Sequence, residues 1–303
     1  MGEPTEQDCY IIEHALMVAY RLSSAPIAEN GMDRDREIVD LTDDAVIAPI
    51  LEAYRHWAAY ALCDLEPPHR QYARYIGAVR AGRVEAVALV YAPPGFTSLL
   101  PSGSADGVRA ILSGARGLPP NPLLIARRPD LPAVEARYHV DKKWTMLRMV
   151  VAARGLKPAP AVASSVEVRP LTTADLPTLQ ALYAVWPETV FTPFMFACGV
   201  YYGALVGGRL AAVAGTHALS ARHGIAVIGN VFTRPEYRGR GLGTAVTGAV
   251  AHALMARGPR DVVLNVREDN APAIAAYRRL GFTVHEPFWE GAATLRQGSP
   301  DSW

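Results

Sequence analysis

Apolar residues at Leu242, Ala245, Val246, Ala249, Val250, Ala253 and Leu254 recur at intervals of three and four, which predicts a helix with one buried stripe. Arg257, Gly258 and Pro259 mark its end. Ahead of it, the run around Asn230–Thr233 predicts a strand, and behind it Asp261-Val-Val-Leu-Asn-Val-Arg267 predicts a short buried strand. A second helix follows: Asn270 can cap it, Pro272 suits its first turn, and Ile274, Tyr277 and Leu280 share its inner face. Gly281 ends this helix, with Phe282 folding back.

Between the first strand and its helix lies Arg238-Gly-Arg-Gly-Leu-Gly-Thr244. Glycines at 239, 241 and 243 let backbone amides approach a ligand without Cβ obstruction, and the helix start adds unpaired N–H groups and a positive dipole end. This is chemistry suited to a pyrophosphate. A nucleotide-triphosphate loop would need Gly-Lys-Ser or Gly-Lys-Thr, whereas Gly243 is followed by Thr244-Ala245. A dinucleotide fingerprint wants G-x-G-x-x-G on a first strand, whereas these glycines are spaced G-x-G-x-G late in the chain.

The Arg238, Gly241, Gly243 spacing resembles the Q/R-x-x-G-x-G/A signature of the GNAT superfamily of N-acetyltransferases. Downstream, the run from Asn270 through Ala273, Tyr277 and Leu280-Gly-Phe282 is similar to the second signature of that superfamily, in the expected order. The resemblance covers about residues 165–295. It implies an acetyl-CoA-binding domain in which Arg238, Gly239, Arg240, Gly241, Leu242, Gly243 and Thr244 hold the pyrophosphate. It also implies that Val231, Phe232 and Thr233, on a strand that splays from its neighbour, contact the pantetheine arm, with Asn265 and Asn270 bonding its amides. Tyr277 matches the superfamily tyrosine that protonates the leaving thiolate, although its spacing alone fits a core tyrosine equally, and Asn270 can serve as a cap alone. Where many relatives carry a glutamate base this chain has Asn230, which cannot accept a proton at neutral pH. His217, read as lying just after a hairpin strand, is the candidate base by residue type; a water chain or an amine arriving neutral would also serve.

The first half carries an echo of the second. Tyr75-Ile-Gly-Ala-Val-Arg-Ala-Gly-Arg-Val-Glu-Ala-Val-Ala88 aligns without gaps on Tyr201-Tyr-Gly-Ala-Leu-Val-Gly-Gly-Arg-Leu-Ala-Ala-Val-Ala214, each a predicted hairpin around a Gly-Arg turn. Leu41-Thr-Asp-Asp44 and Leu171-Thr-Thr-Ala-Asp175 each introduce a helical pattern before it. After the first hairpin come a strand near Phe96–Leu100, a helix from Ser104 to Leu112, a strand at Leu123–Ala126 and a helix from Asp130. The glycine turn has no counterpart, since Leu100-Pro-Ser-Gly-Ser-Ala-Asp106 stands in its place. The expected organisation is an extension at 1–35 with a helix near Thr5–Leu22, a degenerate GNAT-like domain at 36–160, and a catalytic GNAT domain at 161–303, the boundary falling in the Pro/Ala-rich stretch 155–165. An unrelated α+β domain is the alternative for the first half. The fold class is α+β in three layers, each half a mixed, mostly antiparallel twisted sheet flanked by helices.

Composition narrows the partners. A formal charge of +1 over 303 residues gives no field for nucleic acid or an anionic membrane, and no apolar stretch approaches a membrane span. Cys9, Cys63 and Cys198 lack metal or disulfide spacing, Cys198 reads as a buried core thiol, and no metal is expected. The acidic start Met1-Gly-Glu-Pro-Thr-Glu-Gln-Asp8 differs from a secretory leader, so a cytoplasmic location is expected. The acceptor is expected to be a small-molecule amine or an N-terminal amine. A larger acyl-CoA donor of the glycine-conjugating type, or a non-catalytic coenzyme A sensor, is the alternative. Trp186, Phe191 and Phe194 fit either an apolar rim or a core.

Overall fold

The structure is a computed structural model that describes residues 36–186 and 189–296; the helix expected near Thr5–Leu22 lies outside them. Alternating apolar positions around a tight turn make two hairpins, β2 (Ala73–Arg80) with β3 (Arg83–Tyr91) and β8 (Tyr202–Val206) with β9 (Arg209–Ser220). Ala81 and Gly82 have φ of 49° and 74°, and Gly207 and Gly208 have 56° and 77°. Paired left-handed residues of this kind give a turn whose twist matches that of the flanking strands.

Around each hairpin the elements repeat in the order read from the sequence. The first half has β1 (Arg36–Leu41), α1 (Asp44–Ala53) and α2 (Ala59–Cys63) before the hairpin, then β4 (Ser98–Gly103), α3 (Ala105–Gly114), β5 (Leu123–Arg127) and α4 (Leu131–Arg137). The second has β7 (Val166–Pro170), α5 (Leu176–Tyr183) and α6 (Pro193–Cys198), then β10 (Ile225–Thr233), α7 (Leu242–Met255), β11 (Asp261–Arg267) and α8 (Ala271–Arg279). Helix α5 starts later than the Leu171 pattern suggests. Thr172 and Asp175 form a capping box on a short 3-10 turn first, and Arg169 grips Asp175 at 2.7 Å.

Each half closes with a long strand that the apolar pattern does not flag, β6 (Tyr138–Ala152) and β12 (Thr283–Leu295). The described strands form one sheet in the order β1-β2-β3-β4-β5-β12-β6-β11-β10-β9-β8-β7. The halves therefore exchange their last strands. Strand β12 pairs with β5 of the first half, β6 pairs with β11 of the second, and β6 and β12 pair with each other along nearly their whole length. The stretch 155–165 marks where the chain passes between halves, but it does not divide the sheet.

Period-two alternation sends neighbouring residues to opposite faces. Ile225 and Val227 of β10 and Val263 of β11 pack with Trp57, Leu62 and Phe288, whereas Ala226, Ile228, Val262 and Leu264 pack under α7 and α8 with Val246, Val250 and Tyr277. In the first half Val87 and Leu89 join the former cluster, while Ala86 and Ala88 face α3 through Val108 and Ile111. One core thus holds the α1–α2 segment of the first half against the sheet of the second. Arg148 on β6 is fully buried within it, donating from Nε to Asn265 Oδ1 at 3.1 Å and from Nη1 to the Trp57 carbonyl, its guanidinium 4.6 Å from the Trp57 ring centroid. Cys63 is buried as a core thiol, but Cys198, the last residue of α6, is only half-buried, because that helix turns Phe196 into the core instead.

Candidate active site

The glycine turn begins where β10 ends. Gly239 and Gly241 adopt φ of 75° and 76°, left-handed values that cost an L-residue strain, and a Cβ at either position would meet nothing within 4 Å. The concavity is open. Among the described residues, the amides from Gly239 through Thr244 donate to no protein acceptor; the first backbone hydrogen bond of α7 runs from Ala245 N–H to the Gly241 carbonyl, at 3.0 Å. The Leu242 side chain and Thr244 turn inward and are buried, so residues 242–244 offer a ligand backbone N–H groups. Arg238 is exposed and donates to the Thr233 carbonyl at 3.2 Å, and Arg240 stacks 5.5 Å from the Tyr237 ring centroid.

The matching place in the first half is filled. Strand β4 runs into α3 through Ser104 alone, whose N–H donates to the Glu85 carbonyl at 2.9 Å and whose Oγ accepts from Gly107 N–H at 3.1 Å. A Cβ at Gly103 would lie 2.4 Å from Ala86 Cα. One first-turn amide is thereby taken, and Ala86 fills the space beside this helix start.

Beside the glycine turn the sheet opens. Strands β10 and β11 pair in parallel only from Ile225 and Asp261 to Ile228 and Leu264; beyond this β10 stays with β9 and β11 with β6. Two bulges flank the split. Asn230 and Val231 face Ala214 alone, and His217 is the extra residue between Thr216, paired with Ile228, and Ala218, paired with Val227. Bulges re-aim side chains, and this one turns His217 toward the interior. His217 thus lies within β9, not in a turn after it. Asn230 is left-handed at φ 52°, held by the Tyr183 hydroxyl donating to its carbonyl and by its own Nδ2 donating to Tyr201 Oη at 3.0 Å.

A cavity of about 440 Å³ lies at the split and extends under the first half. Its wall includes Val231, His217, Asn230, Asn265, Asn270 and Tyr277 of the second half, and Tyr60, Asp64, Tyr91 and Trp144 of the first, with Glu290 of the exchanged strand. Burial pushes the Tyr277 phenol well above its ordinary range, so it keeps its proton at neutral pH, and its hydroxyl has no protein partner among the described residues. Burial likewise holds the His217 imidazole below its usual pKa and therefore neutral. Its Nδ1 is 3.0 Å from Tyr60 Oη, while Nε2 is closed off and unpartnered where the ring presses on Gly229. Burial also raises the Asp64 and Glu290 carboxyls, Arg148 opposing the shift at Glu290.

Of the sequence-derived residues, His217, Val231, Asn265, Asn270 and Tyr277 line this cavity, while Arg238–Thr244 form the turn that follows β10. Phe232 instead turns to the second-half core beside Trp186, ring centroids 5.4 Å apart, and Thr233 Oγ1 lies 3.0 Å from where a Cβ of Gly243 would be. Asn265 lines the cavity with its Oδ1 already committed to Arg148. Asn270 does cap α8, its Oδ1 accepting from Ala273 N–H at 3.2 Å, and lines the cavity as well. Trp186 and Phe194 are cavity wall, whereas Phe191 packs into the core 4.6 Å from the Tyr183 centroid. Tyr60, Asp64 and Glu290 escaped the sequence reading. Tyr60 sits on a five-residue helix without a motif and Asp64 caps its C-terminal end, and Glu290 reaches the site only through strand exchange. Among the described residues no group of three or more His, Cys, Asp or Glu could hold a metal ion, and no helix is long and apolar enough to cross a membrane.

Free amides on a glycine turn, a split between parallel strands and a phenol facing the split together make an acyltransferase fold. Comparison with known proteins agrees: the acetyltransferase (GNAT) family model matches residues 169–282, and this region is a GNAT-family acetyltransferase domain. The mycothiol acetyltransferase of Arthrobacter sp. (strain FB24) is 38% identical over 109 residues, 35% of this chain and 32% of that protein. The chain spans about a sixth to a third of the length of the curated relatives it matches. Two solved structures share the architecture across both halves. A GCN5-related N-acetyltransferase from Sphaerobacter thermophilus is 18% identical with a TM-score of 0.58, covering 89% of this chain and 99% of that one. A tandem GNAT protein from the clavulanic acid biosynthesis pathway is 19% identical with a TM-score of 0.53, covering 86% and 98%. At these identities the likeness is one of fold.

Proposed function

We propose that the protein is an N-acetyltransferase that uses acetyl-CoA to acetylate a primary amine of a small acceptor. The observation that carries this reading is the run of unpartnered amides from Gly239 through Thr244 at the start of α7, opening beside the β10–β11 split. These amides would hold the pyrophosphate, with Arg238 and Arg240 adding charge from the rim. Val231 and the exposed edge of β10 would hold the pantetheine arm, and Asn265 and Asn270 would bond its amides. Acetyl-CoA in this place supplies an activated acyl thioester. Tyr277, neutral and unpartnered, is the proton donor of the site. His217 is the candidate base of the second half. Reaching an amine with Nε2 requires its ring to leave Gly229, since Nδ1 is engaged by Tyr60.

Residues 36–160 act, in this reading, as a degenerate copy that supplies one wall of the acceptor cavity and strand β6, and residues 161–303 carry the coenzyme A site. A second reading keeps the fold with a bulkier acyl donor. The apolar wall formed by Phe96, Leu123 and Trp144 has room for such a group.

The test is calorimetric titration with acetyl-CoA, followed by acceptor-dependent release of free thiol. Tyr277→Phe is expected to lower kcat about a hundredfold with unchanged acetyl-CoA affinity. Failure to bind any coenzyme A ester would end the proposal, and preference for phenylacetyl- or benzoyl-CoA over acetyl-CoA would select the second reading.

A further inference from the structure

The cavity contains an acid that nothing in the protein answers. Asp64, at the C-terminal end of α2, is 3% exposed, lines the cavity, and has no hydrogen bond or ion pair to its carboxylate among the described residues. Glu290 faces the same space, but the buried Arg148 lies near enough to oppose its shift. Arg267, the cationic residue on the wall, is matched by Asp269 at 2.7 Å. An isolated carboxylate buried in an apolar place is costly unless a cation joins it.

The surroundings describe the cation. Tyr60, Tyr91, Phe96, Trp144 and Phe194 line the same cavity, offering ring faces and edges to an apolar body and π-faces to a positive charge. A carboxylate on the ligand would meet no unmatched cation among the described residues of this wall.

We infer that Asp64, contributed by the first half of the chain, is the anchor for the acceptor's ammonium group, and that the acceptor is a cationic amine with an apolar, ring-sized body and no carboxylate of its own. This rests on the acetyltransferase reading above and gives its acceptor a chemical class. Burial alone raises the Asp64 carboxyl above the usual carboxylate range, and pairing with the acceptor's ammonium offsets that cost. The ammonium then gives one proton to solvent, its neutral nitrogen attacks the thioester, and the departing thiolate takes a proton from Tyr277, which regains one from the new amide nitrogen. The coenzyme A-holding turn belongs to the second half and the acceptor's recognition to the first, which explains how a copy with a closed glycine site still serves the reaction.

The test compares 2-phenylethylamine with phenylalanine, the same body bearing a carboxylate, in the full chain saturated with acetyl-CoA. The expected kcat/KM favours 2-phenylethylamine by about tenfold or more. Asp64→Asn and Asp64→Leu, the second filling the space with apolar atoms, are expected to raise KM for 2-phenylethylamine about tenfold or more, with kcat and acetyl-CoA affinity within about twofold of wild type. If either soluble variant keeps the wild-type KM, or if phenylalanine is the better acceptor, the inference is overturned. Bound acetyl-CoA with no turnover of either amine also overturns it while leaving the coenzyme A site standing; absence of acetyl-CoA binding overturns the underlying reading instead.

Discussion

The His217 ring occupies the space that a side chain at residue 229 would need: a Cβ built on Gly229 would lie 2.1 Å from His217 Nε2 and Cε1. This contact, with the hydrogen bond between Nδ1 and the Tyr60 hydroxyl, fixes the imidazole between a bulged strand of one half and a helix of the other. Both ends of the ring are thereby determined by backbone irregularity and by packing across the halves.

Gly229→Ala is accordingly expected to displace His217 and break its bond to Tyr60. A small-to-large change in a tight place costs about 1–3 kcal/mol. Urea denaturation should show that loss, and thiol-release assays should show a lower kcat. Acetyl-CoA affinity should stay near wild type, since the glycine turn is elsewhere. A variant with wild-type stability would refute the contact.

The glycine turn gives the complementary outcome. At Gly241 a Cβ meets no neighbour but must adopt φ 76°, so Gly241→Ala is expected to cost only about 1 kcal/mol of stability. The added methyl sits on the surface that a pyrophosphate would approach, so affinity for acetyl-CoA should fall about tenfold or more in calorimetry. Unchanged affinity would show that the turn grips no anion.

Local chemistry made the second half legible. The glycines, the Asn270 cap and the Gly281 stop each impose a backbone conformation on their own neighbours, and the structure has a turn or helix end at each. The paired hairpins were readable for the same reason. Strand exchange was not, because β6 opens with His139-Val-Asp-Lys-Lys143, largely exposed, and its partners lie far away in the chain. Nor could spacing reveal Asp64, whose importance comes from a cavity assembled by distant strands.

Strand exchange predicts how the chain can be cut. Residues 161–303 alone would lack β5 and β6, leaving β11 paired with β10 alone, β12 with neither of its partners and Asn265 without Arg148. Exposed strand edges of this kind aggregate. Expressed alone, this segment should be insoluble, and co-expression with residues 1–160 should restore a soluble complex that binds acetyl-CoA. A soluble, folded second half on its own would contradict the shared sheet.

His69 supplies a pH dependence of stability. It is 6% exposed, its Nδ1 lies 2.7 Å from Tyr91 Oη, its ring packs 5.6 Å from that of Phe194, and burial pushes its pKa down to about 4. In the unfolded chain the imidazole takes up a proton as pH falls through about 6.5; in the folded chain it stays neutral until about 4. The unfolded state binds more protons across that window, so stability drops as pH falls from 6.5 toward 4, by about 3 kcal/mol from this residue. His217, also held below its usual value by burial, adds a loss of the same sign. Urea midpoints measured between pH 7 and 4.5 should fall more steeply in the wild type than in His69→Gln, which has no proton to gain there. Equal slopes for the two proteins would show that His69 is not held neutral between the halves.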